Sequence, residues 1–311
     1  MGSLLDRVLR DADTPALLEV LGERLPQSDL TSLLLEVAQR RAARAPSEVL
    51  RQYREDRFVR PGRVDPRVRC AIERVAFASV PARYQAIEIA PLAPLGTSSA
   101  VATASQHKIV STMRGSDVVS DASNVLALEC AVRRRASPRG PEVALCASAR
   151  MTRAQALVRK EHTAHFQLFV MVVAGRDPGG RALQATALRE AIDTQLAMLS
   201  ALRGEGFRIG RVRVWISARA PYGDAASSAA AALAQAWPEV AIALDPARAE
   251  ASAYYGGLCF GVFVEHGADW IPLGDGGVTD WVAKLTGSRK ERFFVGAIGT
   301  EALATLFAPG V

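Results

Sequence analysis

Apolar and polar residues follow two periods along this chain, and the pattern changes near residue 65. Residues 1–60 have the period of amphipathic helices: Ser28-Asp29 can cap one helix that continues to about Ala43, and Pro46-Ser47-Glu48 can start another. Pro61 and Gly62 lie in a stretch, residues 58–64, that is typical of a linker. The pattern therefore predicts a helical appendage over residues 1–60 and a separate domain over residues 61–311.

From Asp65 onward, helical stripes alternate with extended apolar segments. Helices are predicted from Asp65, from Asp121 to about Arg135, over 183–203 and over 225–237. Strands are predicted at 84–91, 143–149, 166–174, 212–216, 240–244, around Phe260 and at 293–298, and Gly276-Gly277 predicts a turn at 274–277. Residues 143–149 and 166–174 have the pattern of a long antiparallel hairpin, which favours an α+β layer architecture.

Composition favours an ordinary globular protein. Apolar residues make up 49% of the 311 positions and charged residues 23%, and no apolar run is long enough to span a bilayer. The N-terminus carries Asp6, Arg7 and Arg10 and does not resemble a signal peptide. We therefore expect a cytoplasmic protein that makes no membrane contact.

Several chemistries have no support in the sequence. The four cysteines are widely spaced without a C-x-x-C pair, and the four histidines form no metal-binding pattern, so free thiols and no metal site are expected. Dinucleotide-binding and P-loop motifs are absent. The net charge of +6 permits contact with RNA but does not by itself predict it.

Three C-terminal segments carry a resemblance: Tyr254-Tyr255-Gly256-Gly257, Gly276–Asp280 and Val295–Leu303. In this order they resemble the YYTG strand, the GGRYD turn and motif 3 of the class II aminoacyl-tRNA synthetase catalytic core, in its histidyl-tRNA synthetase branch. Residues 65–91 resemble motif 1 of that core, Thr112-Met113-Arg114 its T-LRPEGT segment, and residues 143–175 its motif 2. The resemblance implies an antiparallel sheet flanked by helices, and a homodimer formed through residues 65–91.

Matching positions give the ligand-binding candidates. Arg150 takes the place of the motif 2 arginine, which in the family holds the substrate carboxylate and the α-phosphate; a guanidinium suits that role because it binds oxyanions bidentately. The tyrosine pair takes the place of residues that line the amino-acid pocket. The full set of candidates is Arg114, Arg150, Gln155, Tyr254, Tyr255, Gly257 and Asp280. No catalytic residue is assigned.

Other positions depart from the family. Val278 and Ala302 stand where the GGRYD and motif 3 arginines are expected, and Glu250 stands at the place of a catalytic arginine, with Arg248 close by. Further departures at acidic or amide positions are Ser116, Thr152, Leu168 and Val172. Adenylate formation needs cations where phosphate charge develops. The departures therefore indicate degenerate motifs 2 and 3, and the family's anticodon-binding domain is not expected in this sequence.

Each candidate also has a plain structural interpretation. Arg150 could equally be a strand arginine on a solvent face, and one of the two tyrosines should belong to the core. Asp275 and Asp280 fit turn and cap positions better than catalytic acids. The polar residues near Arg114 that could line the same cleft are Gln106, Lys108, Ser111 and Asp117.

The leading functional hypothesis is a non-charging paralog that binds a small molecule, with an amino acid as one candidate. It would act as a regulatory or assembly subunit, as the regulatory subunit of ATP phosphoribosyltransferase does, and residues 1–60 would offer a surface for a protein partner. The alternative is an ATP-dependent ligase that activates an amino acid for an acceptor other than tRNA, with ATP as its cofactor. A weaker alternative is tRNA or RNA binding through the helical appendage. Whether the chain is an enzyme stays open, with non-catalytic function favoured.

Overall fold

The computed structural model describes residues 3–154, 163–245 and 254–310. These form two compact units: Met1–Arg60 with Ser111–Ser116, and Pro61–Val110 with Asp117–Val311. No described helix is both long enough and apolar enough to cross a membrane.

The first unit consists of short helices and one turn. Its helices are α1 (Leu4–Asp11), α2 (Leu17–Glu19, continued by a π-helical turn over Val20–Arg24), α3 (Gln27–Ala42) and α4 (Pro46–Glu55). Helix α1 has a capping box, in which the Ser3 hydroxyl accepts from the Asp6 amide and the Asp6 carboxylate accepts from the Ser3 amide. The turn at 111–116 closes with a 2.7 Å hydrogen bond from the Thr112 amide to the Ser116 carbonyl. No described residue of these helices is buried.

The second unit is built on an eight-stranded sheet. In sheet order its strands are β1 (Gln85–Ala86), β4 (Val143–Thr152), β5 (His165–Arg176), β10 (Glu291–Ile298), β9 (Asp269–Thr279), β8 (Leu258–His266), β6 (Val212–Ala218) and β7 (Ala241–Leu244). The central pairs are antiparallel, and the edge pairs β1–β4 and β6–β7 are parallel. Strands β2 (Leu92–Pro94) and β3 (Ser116–Val118) form a separate ribbon. This mostly antiparallel sheet confirms the predicted fold class.

Helices cover both faces of the sheet. One apolar core lies under α5 (Pro66–Ser79), α8 (Ala182–Gly204), α9 (Gly223–Ala236) and α11 (Thr300–Leu306). The other lies under α6 (Thr97–Val101), α7 (Ala122–Ala136) and α10 (Trp281–Thr286). Strand β5 feeds both cores because its side chains alternate: Phe169 and Met171 enter the first, and Val170 and Val172 the second.

Two sequence expectations for this unit were wrong in detail. The strand predicted at 84–91 is confined to Gln85–Ala86. The turn predicted at 274–277 is instead continuous strand β9. A Cβ atom at Gly276 would overlap the Val295 carbonyl oxygen of the neighbouring strand, and one at Gly277 would lie 2.7 Å from the Tyr255 ring. These glycines allow close packing within a strand, which has the same sequence signature as a turn.

A buried ion pair ties the end of α7 to the start of β10. The Arg134 Nε atom lies 2.9 Å from a Glu291 carboxylate oxygen, and both side chains are almost fully buried. The same guanidinium donates to the carbonyls of Pro138, Gly140 and Pro141. Arg134 therefore satisfies several buried acceptors at once, as a buried charge requires.

Candidate functional site

A cleft of about 720 Å³ opens on the face of the second unit that carries α7. Its apolar lining comes from Phe166 and Leu168 on β5 and from Val295 and Ala297 on β10. Polar groups come from the start of α7, from β9 and from the segment just before β8. A concave site with an apolar floor and a few convergent polar groups is the usual form of a small-molecule site.

The first polar group of the cleft centres on Asp121. Its carboxylate caps α7 by accepting from the Ser123 amide at 3.0 Å. The other carboxylate oxygen accepts from the Tyr254 hydroxyl at 3.2 Å and lies 3.3 Å from Arg153 Nη2. Asp121 therefore links the helix, the tyrosine pair and the cleft arginine.

Arg153 is held by three contacts. Besides the ion pair with Asp121, its Nε atom donates to the Ser120 carbonyl at 2.8 Å, and the guanidinium lies 5.0 Å from the centre of the Phe166 ring. The positive charge is thus already matched by a carboxylate, a carbonyl and an aromatic face. An incoming anion would have to compete with Asp121 for this arginine.

The second polar group joins Asp275 to Tyr255 by a side-chain hydrogen bond. The Asp275 side chain is exposed to solvent where it lines the cleft. Desolvation by the protein atoms around its carboxyl group raises the pKa of Asp275 to about 6; the charge of Asp121 adds to this rise, and the Tyr255 hydrogen bond opposes it. Burial likewise raises the pKa values of Tyr254 and Tyr255, so both hydroxyls keep their protons at neutral pH.

Asn124 contributes an unsatisfied amide to the cleft. It lies in the first turn of α7, is 1% exposed and belongs to the cleft lining. Neither its amide oxygen nor its amide nitrogen has a hydrogen-bond partner among the described residues. Burying such a group without a partner costs about 1–3 kcal/mol, so a ligand that bonds to Asn124 would recover this energy.

The charges that line the cleft are balanced within the part of the chain that the structure describes. The positive side chains are Lys108 and Arg153, and the negative ones are Asp121 and Asp275. Val278 and Ala302, at the places where the family has arginines, both pack against the core beneath the sheet. A balanced set of charges suits a zwitterion, whereas a nucleoside triphosphate needs an excess of cations.

The predicted site residues fall in different places. Tyr254 and Tyr255 line the cleft. Gly257 precedes β8 with a positive φ of 91° and lies against the Tyr222 ring, outside the lining. Asp280 occupies the N-cap position of α10 without a side-chain capping hydrogen bond, and its carboxylate lies 3.0 Å from Lys284 Nζ. Arg114 belongs to the first unit, in the turn at 111–116. Gln155, Glu250 and Arg248 lie outside the described residues.

Arg150 does not line the cleft. On β4 it shares a face with Ser148, whose hydroxyl donates to Glu73 of α5, and this is the face opposite the cleft. There the Arg150 guanidinium lies 3.2 Å from Glu301 of α11 and donates to His165 Nδ1. Because side chains alternate along β4, Ala149 and Met151 lie on the other face, which is the cleft side of the sheet. Arg153, just beyond the end of β4, lies on that cleft side too.

Sequence reasoning gave no ligand-binding role to three residues that shape the cleft: Asn124, Asp121 and Asp275. Asp121 was predicted only as the start of a helix. A capping carboxylate at the mouth of a cleft can cap the helix and also contact a ligand. Asp275 was assigned to a turn because of the adjacent glycines. Asn124 has no signal in the sequence, since an amide on a helical stripe of small residues looks like an ordinary polar position.

Solved structures show what this fold resembles. No protein-family model and no curated protein matches the sequence. An ATP phosphoribosyltransferase regulatory subunit/histidyl-tRNA synthetase from Bacillus halodurans C superposes with a TM-score of 0.58 at 14% identity, covering 81% of this chain and 83% of that one. A histidine–tRNA ligase subunit from Alicyclobacillus acidocaldarius gives 0.56 at 15%, covering 85% and 97%.

A histidyl-tRNA synthetase matches as well. Apo histidyl-tRNA synthetase from S. aureus gives a TM-score of 0.55 at 12% identity, covering 77% of this chain and 64% of that one. At such identities the likeness concerns the fold. The chain has the class II aminoacyl-tRNA synthetase fold, as the sequence motifs predicted.

Proposed function

We propose that the chain is a non-charging protein of the histidyl-tRNA synthetase fold that binds a zwitterionic amino compound, an amino acid being the simplest candidate. In this proposal Asp121 and Asp275 face the ammonium group, and Lys108 lies on the side of the carboxylate. The protein then acts as a regulatory or assembly subunit in the cytoplasm rather than as a catalyst.

The observation that carries the proposal is the balanced charge of the cleft. Two carboxylates, each bonded to a tyrosine, line it together with Lys108 and with one arginine that Asp121 already occupies. An ammonium ion beside a carboxylate gains a charge-assisted hydrogen bond, and the aromatic rings of the tyrosine pair add a favourable environment for a cation. Triphosphate binding would need further cations, and none lines the described part of the cleft.

The regulatory role rests on the named neighbours. One superposed protein is an ATP phosphoribosyltransferase regulatory subunit/histidyl-tRNA synthetase, and this chain covers 83% of it. A protein of this fold can therefore be the regulatory subunit of a partner enzyme, which is the role proposed for this chain. We further propose that two copies pair through residues 65–91, where Phe77 of α5 is exposed.

A thermal-shift screen tests the proposal. Binding to the native state raises the melting temperature with ligand concentration. We expect at least one free amino acid to raise it, its N-acetylated form to have no effect, and Mg-ATP to have no effect at millimolar concentration. A shift with ATP and none with amino acids would support the ATP-dependent ligase instead, and no shift with either class would contradict the proposal.

Binding should weaken at acidic pH. The pKa of Asp275 is about 6, so this carboxylate is mostly protonated at pH 5 and mostly ionised at pH 7, whereas an aliphatic ammonium stays charged throughout. We expect affinity for the amino acid to rise roughly tenfold from pH 5 to pH 7 by this linkage. Calorimetric titration across this range measures the slope, and Asp275→Asn should flatten it.

The folding stability of the ligand-free protein should change with pH in the opposite direction to ligand affinity. Because the folded state binds the Asp275 proton more tightly than the unfolded chain does, this group contributes stability below about pH 4 that is lost as the pH rises through about 6. The pH dependence of ligand binding therefore cannot be a side effect of folding stability. A binding profile that is flat in the wild type would show that Asp275 does not meet the ligand.

A further inference from the structure

The helices of the first unit present apolar side chains to solvent. In the N-terminal half the exposed residues include Leu5 and Val8 of α1 and Leu18 of α2; in the C-terminal half they include Val49 and Leu50 of α4. Leu50 is 60% exposed, and no described residue of the four helices is buried. Helices gain most of their stability from packing an apolar face, so the exposed apolar side chains of this unit offer a surface for a partner.

Opposite charges divide the same unit into two halves. Residues 3–36, the acidic half, carry seven carboxylates and three arginines. Residues 40–60, the basic half, carry seven arginines and three carboxylates. The halves thus have net charges of −4 and +4, and with Arg114 the unit as a whole carries a net charge of only +1. A nearly neutral unit is a poor docking surface for a polyanion such as RNA, whose phosphates the acidic half would repel.

The ion pairs of the unit join close neighbours in sequence. Arg24 pairs with Glu19, Arg40 with Glu36 and Arg51 with Glu48. Arg44 donates to Gln52 and to the Glu48 carbonyl within the basic half. The Arg40–Glu36 pair joins the two halves at their boundary, and the other pairs lie within one half. The halves keep their opposite net charges and the apolar residues that each exposes.

We propose that a second copy of this chain covers the first unit, with the acidic half of one copy against the basic half of the other. A two-fold axis would place the acidic half of each copy against the basic half of the other, which makes two equivalent contacts. Both contacts pair opposite charges and cover the exposed apolar residues, in one isologous interface. This contact is independent of the ligand proposed for the cleft. It specifies the partner of residues 1–60 as the same surface in another molecule.

Two charge-reversal variants of the full-length chain test the interface. Variant A makes the acidic half basic and variant B makes the basic half acidic; the substitutions are Asp11→Lys, Asp13→Lys and Glu19→Lys in A, and Arg40→Glu, Arg41→Glu and Arg44→Glu in B. The A–A and B–B pairs then bring like charges together, whereas the A–B pair restores both attractive contacts. The two variants are co-expressed with different mass tags, and native mass spectrometry counts the three dimers.

The expected result is a strong excess of A–B. Pairing through another surface alone gives one half A–B by statistics, whereas like-charge repulsion at both contacts should raise the fraction to about 90% at low salt. In about 1 M salt the fraction should return toward one half because the charges are screened. A statistical mixture at low salt, or monomers throughout, would overturn the proposal. These are also the outcomes expected if the acidic and basic halves pair only within one chain.

A matched control moves the same charges elsewhere. Its two variants carry three reversals each at exposed positions of the second unit: Asp224→Lys, Glu239→Lys and Asp269→Lys in one, and Arg139→Glu, Arg289→Glu and Lys290→Glu in the other. These should form the statistical mixture. If the control pair shows the same excess, the effect comes from overall charge, and the specific interface is excluded.

Discussion

Neutralising both cleft carboxylates, in the Asp121→Asn/Asp275→Asn variant, is expected to weaken amino-acid binding by at least about 30-fold. Removing a charged partner from a desolvated ammonium costs about 2–5 kcal/mol. Asparagine keeps the shape of both side chains, and at position 121 it remains a good helix cap, so α7 should stay folded. Calorimetric titration with the amino acid that gives the largest thermal shift measures the change.

The control for this variant is Asp224→Asn/Asp269→Asn, which removes two exposed carboxylates from the same unit. It should bind the amino acid with wild-type affinity, because long-range charge is screened in salt. Equal affinity of the cleft variant and the control would show that the ligand does not meet Asp121 or Asp275. The single variants separate the two carboxylates, and only Asp275→Asn should also remove the pH dependence.

Replacing Arg134 by methionine should have the largest effect on stability, lowering the free energy of unfolding by about 3–5 kcal/mol. The substitution leaves the buried Glu291 carboxylate without its main partner and three loop carbonyls without their donors. Arg176 approaches Glu291 at 3.4 Å and offsets part of the loss. Urea denaturation followed by circular dichroism measures the difference.

The neighbouring arginine gives a matched comparison. Arg133 pairs with Glu129 one turn earlier on the same helix, but both side chains are about one-third exposed. Arg133→Met should therefore cost less than about 1 kcal/mol. Similar losses for the two variants would mean that burial does not set the energy of the Arg134–Glu291 pair.

Much of the fold could be predicted from the sequence because periodicity reports burial directly. The apolar runs at 143–149 and 166–174 became β4 and β5, and the stripe after Asp121 became α7. The order of the motifs along the chain then identified the fold, because several weak motifs in the expected order are specific although no single one is. The edge strand β1 was overestimated because Ile87 and Ile89 alternate like a strand although the sheet pairing stops at Ala86.

The site could be predicted only in part, and the reason is geometric. Motif matching selects a position in the sequence, but the alternation of a strand decides which face that position occupies. Arg150 and Arg153 lie three residues apart and so fall on opposite faces, one at Glu301 and one in the cleft. Asp275 was hidden by its glycine neighbours, whose role is close packing against Tyr255 and Val295.

The most direct test of the account is amino-acid-dependent exchange of labelled pyrophosphate into ATP. The protein should be assayed with the amino acid that binds it, and calorimetry on the same preparation should establish that the cleft is occupied. We predict binding of the amino acid with no exchange above the amino-acid-free background, because the lining that the structure describes offers a triphosphate no cation besides Lys108 and the Asp121-paired Arg153. Exchange that depends on the amino acid would contradict the account and make the chain an amino-acid-activating enzyme.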